Sequence, residues 1–269
     1  MMTDQDPIIR LDDVHKSFGE LVVLDGVSLR VQRGSSTIII GPSGSGKSVL
    51  LKIIIGLLKP EVGKVFLDGQ EVSSMDEQAL VSVRQNVGFV FQGGALFDSM
   101  TVEGNVGFPL SEHEHLGKEE TRERVRKALR LVGLDGMQWK MPAELSGGQK
   151  KRVALARAIV LEPRLVLYDE PTTGLDPVRA DLINELILKL QNDLKTTSVV
   201  VTHDLASARK VGNRIVMLWE GHFIADAPPE QLMHVKDETV QRFVQGRASK
   251  EELRELGQGG AAPRGVPSE

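Results

Sequence analysis

The sequence predicts an α/β fold, in which a largely parallel sheet is flanked by helices. The run STIIIGPSGSGKSVLLKIIIGLL has an apolar, strand-like start, a glycine-rich turn and a helix-like end. The runs RLVLYDE and TTSVVVTH are short and apolar and end in polar residues, as buried parallel strands do. Before all of these, IIRLDDV and LVVLDGVSLRV alternate apolar and polar residues, which indicates an antiparallel β section.

The composition is that of an ordinary globular protein. The 269 residues are 41% hydrophobic and 26% charged, which suits one large or two small domains. The net charge of −4 argues against a broad nucleic-acid-binding surface, so we expect no nucleic-acid partner. There is no cysteine, which excludes disulfides and thiolate metal sites. The start MMTDQDPIIR is unlike a signal peptide and the longest apolar runs are well short of the ~20 residues of a membrane span, so we expect no membrane crossing.

The remaining elements follow in order along the chain. KVFLDGQEV predicts a hairpin that turns at its Asp-Gly pair, and VGFVFQ predicts a further strand. Apolar spacing predicts helices over 118–132 and over about 146–161. A third helix begins near Pro177, and RIVMLWE and HFIADA predict the last two strands. In the tail, 247–269, ASKEELREL predicts either a short helix or a frayed end, and GQGGAAPRGVPSE predicts disorder.

The run GPSGSGKS matches G-x-x-x-x-G-K-[ST] and lies between a predicted strand and a predicted helix. Its glycines let backbone N–H groups wrap phosphates, and the following helix start favours anions. Lys47 is placed to reach the β- and γ-phosphates, and the Ser48 hydroxyl is placed to hold Mg²⁺. The predicted nucleotide-binding residues are Gly41, Pro42, Ser43, Gly44, Ser45, Gly46, Lys47 and Ser48.

Two acids end the run RLVLYDE. Asp169 can hold the metal ion through water, and Glu170 can orient or deprotonate the attacking water. An acidic strand end is common in any protein, so this motif gains its meaning only beside the phosphate loop.

A second anion site begins the helix LSGGQKKRVALARAI. Ser146, Gly147 and Gly148 there would present backbone amides to a phosphate. Only the first of the two phosphate-binding helix starts carries metal-binding residues. This asymmetry predicts a composite site shared between two copies of the chain.

With LSGGQ and the two motifs above, the chain resembles the nucleotide-binding domain of ABC (ATP-binding cassette) ATPases, from about Ile8 to Phe243. The resemblance implies an ABC-type P-loop NTPase fold, with a RecA-like core, an antiparallel β section and an inserted helical subdomain. It places an ATPase domain at 1–246, with the helical subdomain at about 93–162. It also implies ATP hydrolysis with Mg²⁺, in which two copies clamp two ATP molecules.

The resemblance assigns roles to further residues. Phe18 would stack on adenine, although a core aromatic beside a turn is the alternative. Gln92 would contact Mg²⁺ and water and sense a membrane partner. His203 would reach the γ-phosphate and act in catalysis with Glu170, Gln92 and Lys47. The contacts to ATP from the opposite copy would be Ser146, Gly147, Gly148, Gln149 and Asp176.

Among ABC ATPases, the segments FQGGALFDSMTVEGNVGFPLSEHEHL, KMPAELSGG and LYDEPTTGLDP resemble the Mla/Mce-associated ATPases, which energise phospholipid transport between the membranes of Gram-negative bacteria. This resemblance implies an MlaE-type permease, an MlaD-like MCE-domain protein and a small MlaB-like STAS-domain protein as partners. It also implies a cytoplasmic chain, peripheral on the cytoplasmic face of the inner membrane.

Other ABC proteins remain as alternatives. Mla/Mce-associated ATPases often have Met at the position of Gln149, and this departure favours an amino-acid importer or a lipoprotein-release system. A soluble ABC mechanoenzyme is a more remote alternative, because the chain has no cysteine for zinc and no second cassette. A P-loop kinase or GTPase does not account for LSGGQ.

The stretch FQGGALFDSMTVEGNVGFPL, 91–110, mixes loop-forming glycine and proline with large apolar side chains. We interpret it as a joint at Gly93 and Gly94, followed by a loop whose apolar side chains line a groove for a permease helix. The candidate permease contacts are Leu96, Phe97, Met100 and Phe108. The alternative is that these side chains pack inside the helical subdomain.

Overall fold

The computed structural model describes residues 6–114 and 116–248, and within them the strands form two sheets. The strands are Ile9–Phe18 (β1), Leu21–Val31 (β2), Ser36–Ile40 (β3), Val62–Leu67 (β4), Gln70–Glu71 (β5), Val87–Val90 (β6), Leu165–Asp169 (β7), Thr197–Thr202 (β8), Arg214–Trp219 (β9) and His222–Ala227 (β10). The antiparallel sheet has the order β2-β1-β4-β5, and the larger sheet has the order β10-β9-β3-β8-β7-β6. All the predicted strands are confirmed.

The helices surround the larger sheet. They are Lys47–Ile54 (α1), Glu77–Arg84 (α2), Val102–His113 (α3), Lys118–Leu131 (α4), Gly147–Ile159 (α5), Pro177–Leu194 (α6), Leu205–Val211 (α7), Pro229–Leu232 (α8) and Glu238–Gln245 (α9). The helices α1, α4, α5 and α6 confirm the predicted ones, whereas α2, α3, α7, α8 and α9 have no predicted counterpart. None of the helices in the described ranges combines the length and apolar character that a bilayer span requires.

The larger sheet separates two apolar cores, because successive side chains of a strand point to opposite faces. In β3, Ile38 and Ile40 belong to the core formed with α3, α4, α5 and α6, whereas Ile39 belongs to the core shared with α1 and the antiparallel sheet. All five residues of β3 are buried. A strand covered on both faces needs a continuous apolar run, which the three isoleucines at 38–40 supply.

The central strands are parallel and in register, and this brings their carboxyl ends to one edge. Ile40, the last residue of β3, pairs with Thr202 of β8, and Asp169 of β7 pairs with Val201. Open α/β sheets bind ligands in the crevice outside the carboxyl ends of their strands. The phosphate loop after β3, His203 after β8 and Glu170 after β7 therefore begin at the same edge.

The prediction of a loop through Leu110 is wrong from Val102 onward, because α3 begins there. Val102, Val106 and Leu110 lie four residues apart, which places them on one buried face of this helix. The Thr101 hydroxyl caps the helix by accepting a hydrogen bond from the backbone N–H of Gly104 at 3.2 Å. This apolar spacing outweighs the two glycines and the proline within the helix.

Asn105 of α3 holds the loop that precedes the helix. Its side chain is fully buried; its Oδ1 accepts from the Phe97 backbone N–H at 2.7 Å, and its Nδ2 donates to the Phe97 carbonyl at 3.0 Å. The same Nδ2 also donates to the carbonyls of Met100 and Thr101, both at 3.1 Å. A single amide thus satisfies four backbone groups of a segment without regular structure.

The last part of the chain is described only in part. Arg247 and Ala248 follow α9 without regular structure and are exposed. The predicted short tail helix and the predicted disordered end, 249–269, lie outside the described residues.

We predict that Asn105→Ala lowers the free energy of unfolding by about 2–4 kcal/mol, because it leaves buried backbone groups without partners. Chemical denaturation followed by circular dichroism measures this change. Ser111→Ala is the matched control, since the exposed Ser111 hydroxyl makes one hydrogen bond on the same helix, to the Phe108 carbonyl. Equal stability of the two variants would show that the amide does not hold the loop.

Candidate nucleotide-binding site

The phosphate loop connects β3 to α1 through positions that only glycine fits. Gly46 precedes α1 with a φ of 96°, and a Cβ there would lie 2.8 Å from Cγ1 of Val23. A Cβ on Gly41 would lie 2.3 Å from the carbonyl oxygen of Leu218. The loop therefore packs backbone against neighbouring strands, which leaves its amides free to turn toward a ligand.

Lys47 lies folded under this loop. Its side chain is buried, and its ammonium donates to the carbonyls of Gly41 at 2.9 Å and Pro42 at 2.8 Å. Burial lowers the pKa of Lys47, and the nearby carboxylates of Glu170 and Asp169 partly oppose this shift. The ammonium thus lies next to the two acids at the end of β7.

Ser48 and Asp169 form the direct link between α1 and β7. The Ser48 hydroxyl donates to Oδ1 of Asp169 at 2.7 Å. Burial raises the pKa of Asp169, and the Ser48 hydrogen bond partly opposes this shift. Two oxygen ligands suited to a hard cation therefore lie side by side at the sheet edge.

Glu170 has the most restrained side chain of the site. Its Oε1 lies 2.9 Å from Nδ1 of His203, and its Oε2 accepts from the Thr173 hydroxyl at 3.0 Å and the Thr202 hydroxyl at 3.3 Å. Its own backbone has a φ of 49°, an uncommon value for a residue with a side chain. Such strain persists only where the surroundings fix it; here the Glu170 N–H donates to the Val201 carbonyl at 3.0 Å, and three side chains hold the carboxylate.

Gln92 and Phe18 are both exposed. Gln92 follows β6 and its backbone carbonyl accepts from the Lys151 ammonium. Phe18 ends β1 with 47% of its surface exposed, and the Lys16 ammonium lies 5.2 Å from the ring centroid. The alternative of a core aromatic is therefore wrong for Phe18, whose ring is open to a ligand.

The LSGGQ segment begins α5 with a closed capping box. The Ser146 hydroxyl accepts from the Gln149 N–H at 3.3 Å, and the Gln149 side chain accepts from the Ser146 N–H at 2.9 Å. Gly147 and Gly148, which lack side chains, form the first turn. Asp176 caps α6 in a similar way, accepting from the Arg179 N–H at 3.0 Å.

The structure does not bring all the predicted site residues together. Among the described residues, no polar contact of Ser146, Gln149 or Asp176 involves the phosphate loop or Glu170. One surface groove of about 480 Å³ is instead lined by Ser146, Gly148, Gln149 and Arg179, among others. A single copy thus presents two separate halves of the expected site.

A second groove, of about 410 Å³, lies beside the 91–110 stretch. Phe97 and Phe108 line it with their rings 4.8 Å apart, together with Phe89 and Phe91. Leu96 packs against the apolar core instead, and Met100 is not among the lining residues. Two of the four candidate permease contacts therefore face this groove.

Three residues contact the site in ways that the sequence analysis did not assign. Thr173 and Thr202 hold the Glu170 carboxylate, and their positions beside motif residues gave the only hint of this. Lys151 is buried and contacts the backbone of Gln92. Lys151 precedes Ala154 by three residues and Leu155 by four, which places it on the buried, apolar face of α5. Its burial could have been predicted from this helical spacing.

Comparison with known proteins shows which family the chain belongs to. Residues 24–173 match the sequence profile of the ABC transporter family. The chain is 41% identical over 239 residues to the probable ribonucleotide transport ATP-binding protein mkl of Mycobacterium tuberculosis, covering 89% of this chain and 67% of that protein. It is 41% identical over 230 residues to the intermembrane phospholipid transport system ATP-binding protein MlaF of Haemophilus influenzae, covering 86% of this chain and 87% of MlaF.

A solved structure agrees with these relatives. The dimeric post-hydrolysis state of the ATP-binding cassette MJ0796, bound to ADP and Pi, superimposes with a TM-score of 0.76 at 37% identity. The match covers 82% of this chain and 98% of that one. The chain belongs to the ABC transporter family and is one of its ATP-binding, ATP-hydrolysing cassettes.

Proposed function

We propose that this chain powers phospholipid transport between membranes, by hydrolysing ATP in two sites that two copies of the chain share. The observation that carries the lipid assignment is the likeness to MlaF, which covers nearly all of both chains. The name of mkl points instead to ribonucleotides, but this chain spans only 67% of mkl. The MlaF likeness accounts for more of the relative's length and is the stronger guide.

The partners in this proposal are an MlaE-type permease, an MlaD-like MCE-domain protein and an MlaB-like STAS-domain protein. The chain lies on the cytoplasmic face of the inner membrane. Residues 1–246 make one ATPase domain, and 93–162 form the helical subdomain that meets the permease. The groove lined by Phe97 and Phe108 supports this arrangement, because an apolar cleft about 410 Å³ in volume suits the apolar side of a short helix.

Within one copy, the phosphate loop holds ATP. The backbone amides of 41–48 surround the phosphates, and the adjacent start of α1 favours their charge. The Lys47 ammonium exchanges its two carbonyl partners for the β- and γ-phosphates, a stronger, charge-assisted interaction. The exposed ring of Phe18 stacks on the adenine.

The donor set at the end of β7 fits Mg²⁺. Ser48 and Asp169 already adjoin, and Gln92 completes the protein ligands, directly or through water. Mg²⁺ commonly keeps several waters and binds substrate phosphates beside one or two carboxylates, so phosphates and water would supply the remaining ligands. When bound, the ion neutralises the charge that develops on the phosphates.

Glu170 is the residue that activates water. Its carboxylate is held by His203, Thr173 and Thr202, which limits the directions in which it can point. The His203 side chain is 51% exposed, which leaves its ring accessible to the γ-phosphate of bound ATP. Lys47 and Gln92 complete the catalytic set.

The opposite copy supplies the rest of each site. Its Ser146, Gly147, Gly148, Gln149 and Asp176 face the γ-phosphate that the first copy binds. The dimeric MJ0796 structure supports this, as does the separation of the two half-sites on one copy. Loss of the γ-phosphate removes contacts made only in the closed state, which opens the dimer.

We predict that Glu170→Gln lowers ATP turnover by roughly 10²-fold or more and leaves ATP binding intact, because the amide cannot accept a proton. ATP then accumulates in a dimer, which light scattering coupled to gel filtration detects. Glu162→Gln is the control, since Glu162 shares the positive φ, at 50°, but pairs with Lys127 away from the site. An unchanged rate of ATP hydrolysis in Glu170→Gln would show that Glu170 is not the general base.

We predict that Ser146→Arg lowers turnover by roughly 10²-fold, because the arginine obstructs the γ-phosphate of the opposite copy. ATP binding to the separate copy is unchanged, since its own phosphate loop is intact; fluorescent-nucleotide titration measures it. Ser82→Arg on the exposed face of α2 controls for the added charge. Undiminished turnover at every protein concentration would contradict the shared site.

The transport function is tested with the membrane proteins that copurify with the tagged chain. Reconstituted into vesicles, this complex is expected to transfer labelled phospholipid when ATP is supplied to the ATPase side. Stimulation of its ATPase by ribonucleotides, without lipid transfer, would instead favour the activity that the name of mkl describes.

In the same assay, we predict that Phe97→Asp abolishes ATP-dependent transfer and releases the permease, because a charge enters an apolar groove. The ATP affinity of the separate chain is unchanged, since Phe97 makes no contact with the phosphate loop. Leu57→Asp, at a residue with comparable exposure outside the groove, is the control. If Phe97→Asp still bound the permease and still transferred lipid with ATP, the Phe97 side chain would have only a structural role.

A further inference from the structure

Lys151 is a buried cation whose partners are backbone carbonyls. It lies in the second turn of α5, and only 8% of its surface is exposed. Its ammonium donates to the carbonyl of Gln92 and, at 3.4 Å, to the carbonyl of Glu170. Burial lowers the pKa of Lys151, against the attraction of Glu170 and Asp169. A buried charge without a paired carboxylate is unfavourable for folding, so its presence needs another explanation.

The two carbonyls belong to two different parts of the site. Gln92 follows β6 and leads to the groove, whereas Glu170 follows β7 and carries the carboxylate at the reacting centre. Lys151 itself lies five residues after Ser146, on the helix whose start would bind the ATP of the opposite copy. One ammonium therefore connects three elements that are far apart in sequence.

The hydrogen bond from Lys151 to the Glu170 carbonyl affects the conformation of the whole Glu170 residue. The Glu170 backbone N–H donates to the Val201 carbonyl at 3.0 Å, and the Glu170 carbonyl also accepts from the Thr173 N–H at 3.3 Å, so both peptide groups of this residue are held. With φ at 49°, rotation of either group would swing the carboxylate away from His203. A shift of α5 is thus transmitted to the direction of the Glu170 side chain.

A second cation of α5 strengthens the link to the segment after Gln92. The Arg157 guanidinium donates to the carbonyls of Gly94 and Ala95, both at 2.7 Å. Together with Lys151, it attaches this segment to α5. The helix and the segment therefore move as one piece.

We infer that Lys151 is a positioning residue that makes hydrolysis at one ATP site depend on the ATP bound at the start of the same copy's α5. This inference rests on the shared sites proposed above. When ATP of the opposite copy draws the start of α5 toward it, Lys151 carries Gln92 and Glu170 into their working positions. Without the ammonium, ATP still binds and the dimer still closes, but the water is not oriented.

The test compares Lys151→Met with Lys151→Gln in the full chain. Met keeps the buried apolar stem and removes the donor, and such a replacement is often neutral or stabilising for folding. We expect Lys151→Met to lower kcat by roughly tenfold or more, since small misplacement of a reacting group is costly, while KM for ATP and the melting temperature stay near those of the wild type. Gln retains an uncharged N–H donor and is expected to recover part of kcat.

Lys150→Met is the matched control. The Lys150 ammonium has no hydrogen bond or ion pair among the described residues, although it adjoins Lys151 on the same helix. We expect its kcat to equal that of the wild type. An equal loss in both Met variants would show that α5 needs only positive charge and would overturn the inference.

A second measurement separates this inference from the proposed function. In the Glu170→Gln background, Lys151→Met is expected to form the ATP-bound dimer normally. A failure of Glu170→Gln alone to dimerise would contradict the proposed function instead. Normal kcat in Lys151→Met, or a loss that tracks the melting temperature in both Lys151 variants, would show a merely structural lysine.

Discussion

The in-register parallel pairing of β3, β8 and β7 is the constraint on which the rest of the site depends. It brings Ile40, Thr202 and Asp169 to one edge, so the segments that follow them share a crevice. The distance from the Ser48 hydroxyl to Asp169, 2.7 Å, follows from that alignment and not from any local motif. A slip of one residue would turn each side chain of a strand to the opposite face and remove both the cores and the site.

The site places two buried ammonium groups among carbonyl oxygens rather than carboxylates. Lys47 is held by the phosphate loop, and Lys151 by the backbone after β6 and β7. Carbonyls compensate a buried charge only in part, so each ammonium keeps an attraction for an arriving anion or a neighbouring acid. Lys47 lies where it can exchange partners with a phosphate, whereas the hydrogen bonds of the Lys151 ammonium go to the backbone carbonyls of Gln92 and Glu170.

The sequence allowed most of the fold to be predicted, and with it the sheet edge at which Ser48, Asp169 and Glu170 meet. Elements with strong apolar periodicity or capping residues, such as β3 and α5, lie where the patterns placed them. The start of α3 was not predicted because Gly104 and Gly107 are typical of loops. The four-residue spacing of apolar side chains from Val102 to Leu110 indicates a helix only where a packed core buries them. The contacts of Lys151 and Thr202 arise from tertiary structure, and no local pattern could reveal which carbonyl or carboxylate they meet.

The same helix gives the groove and the reacting centre a physical connection. Arg157 of α5 binds the carbonyls of Gly94 and Ala95 and lies 5.9 Å from the centroid of the Phe97 ring, which lines the groove. Lys151, six residues earlier, binds the carbonyl of Glu170. A ligand in the groove and an anion at the start of α5 would therefore act on one rigid body. Because coupling between sites is reciprocal in free energy, a ligand of this groove whose affinity depended on ATP would in turn change the affinity for ATP.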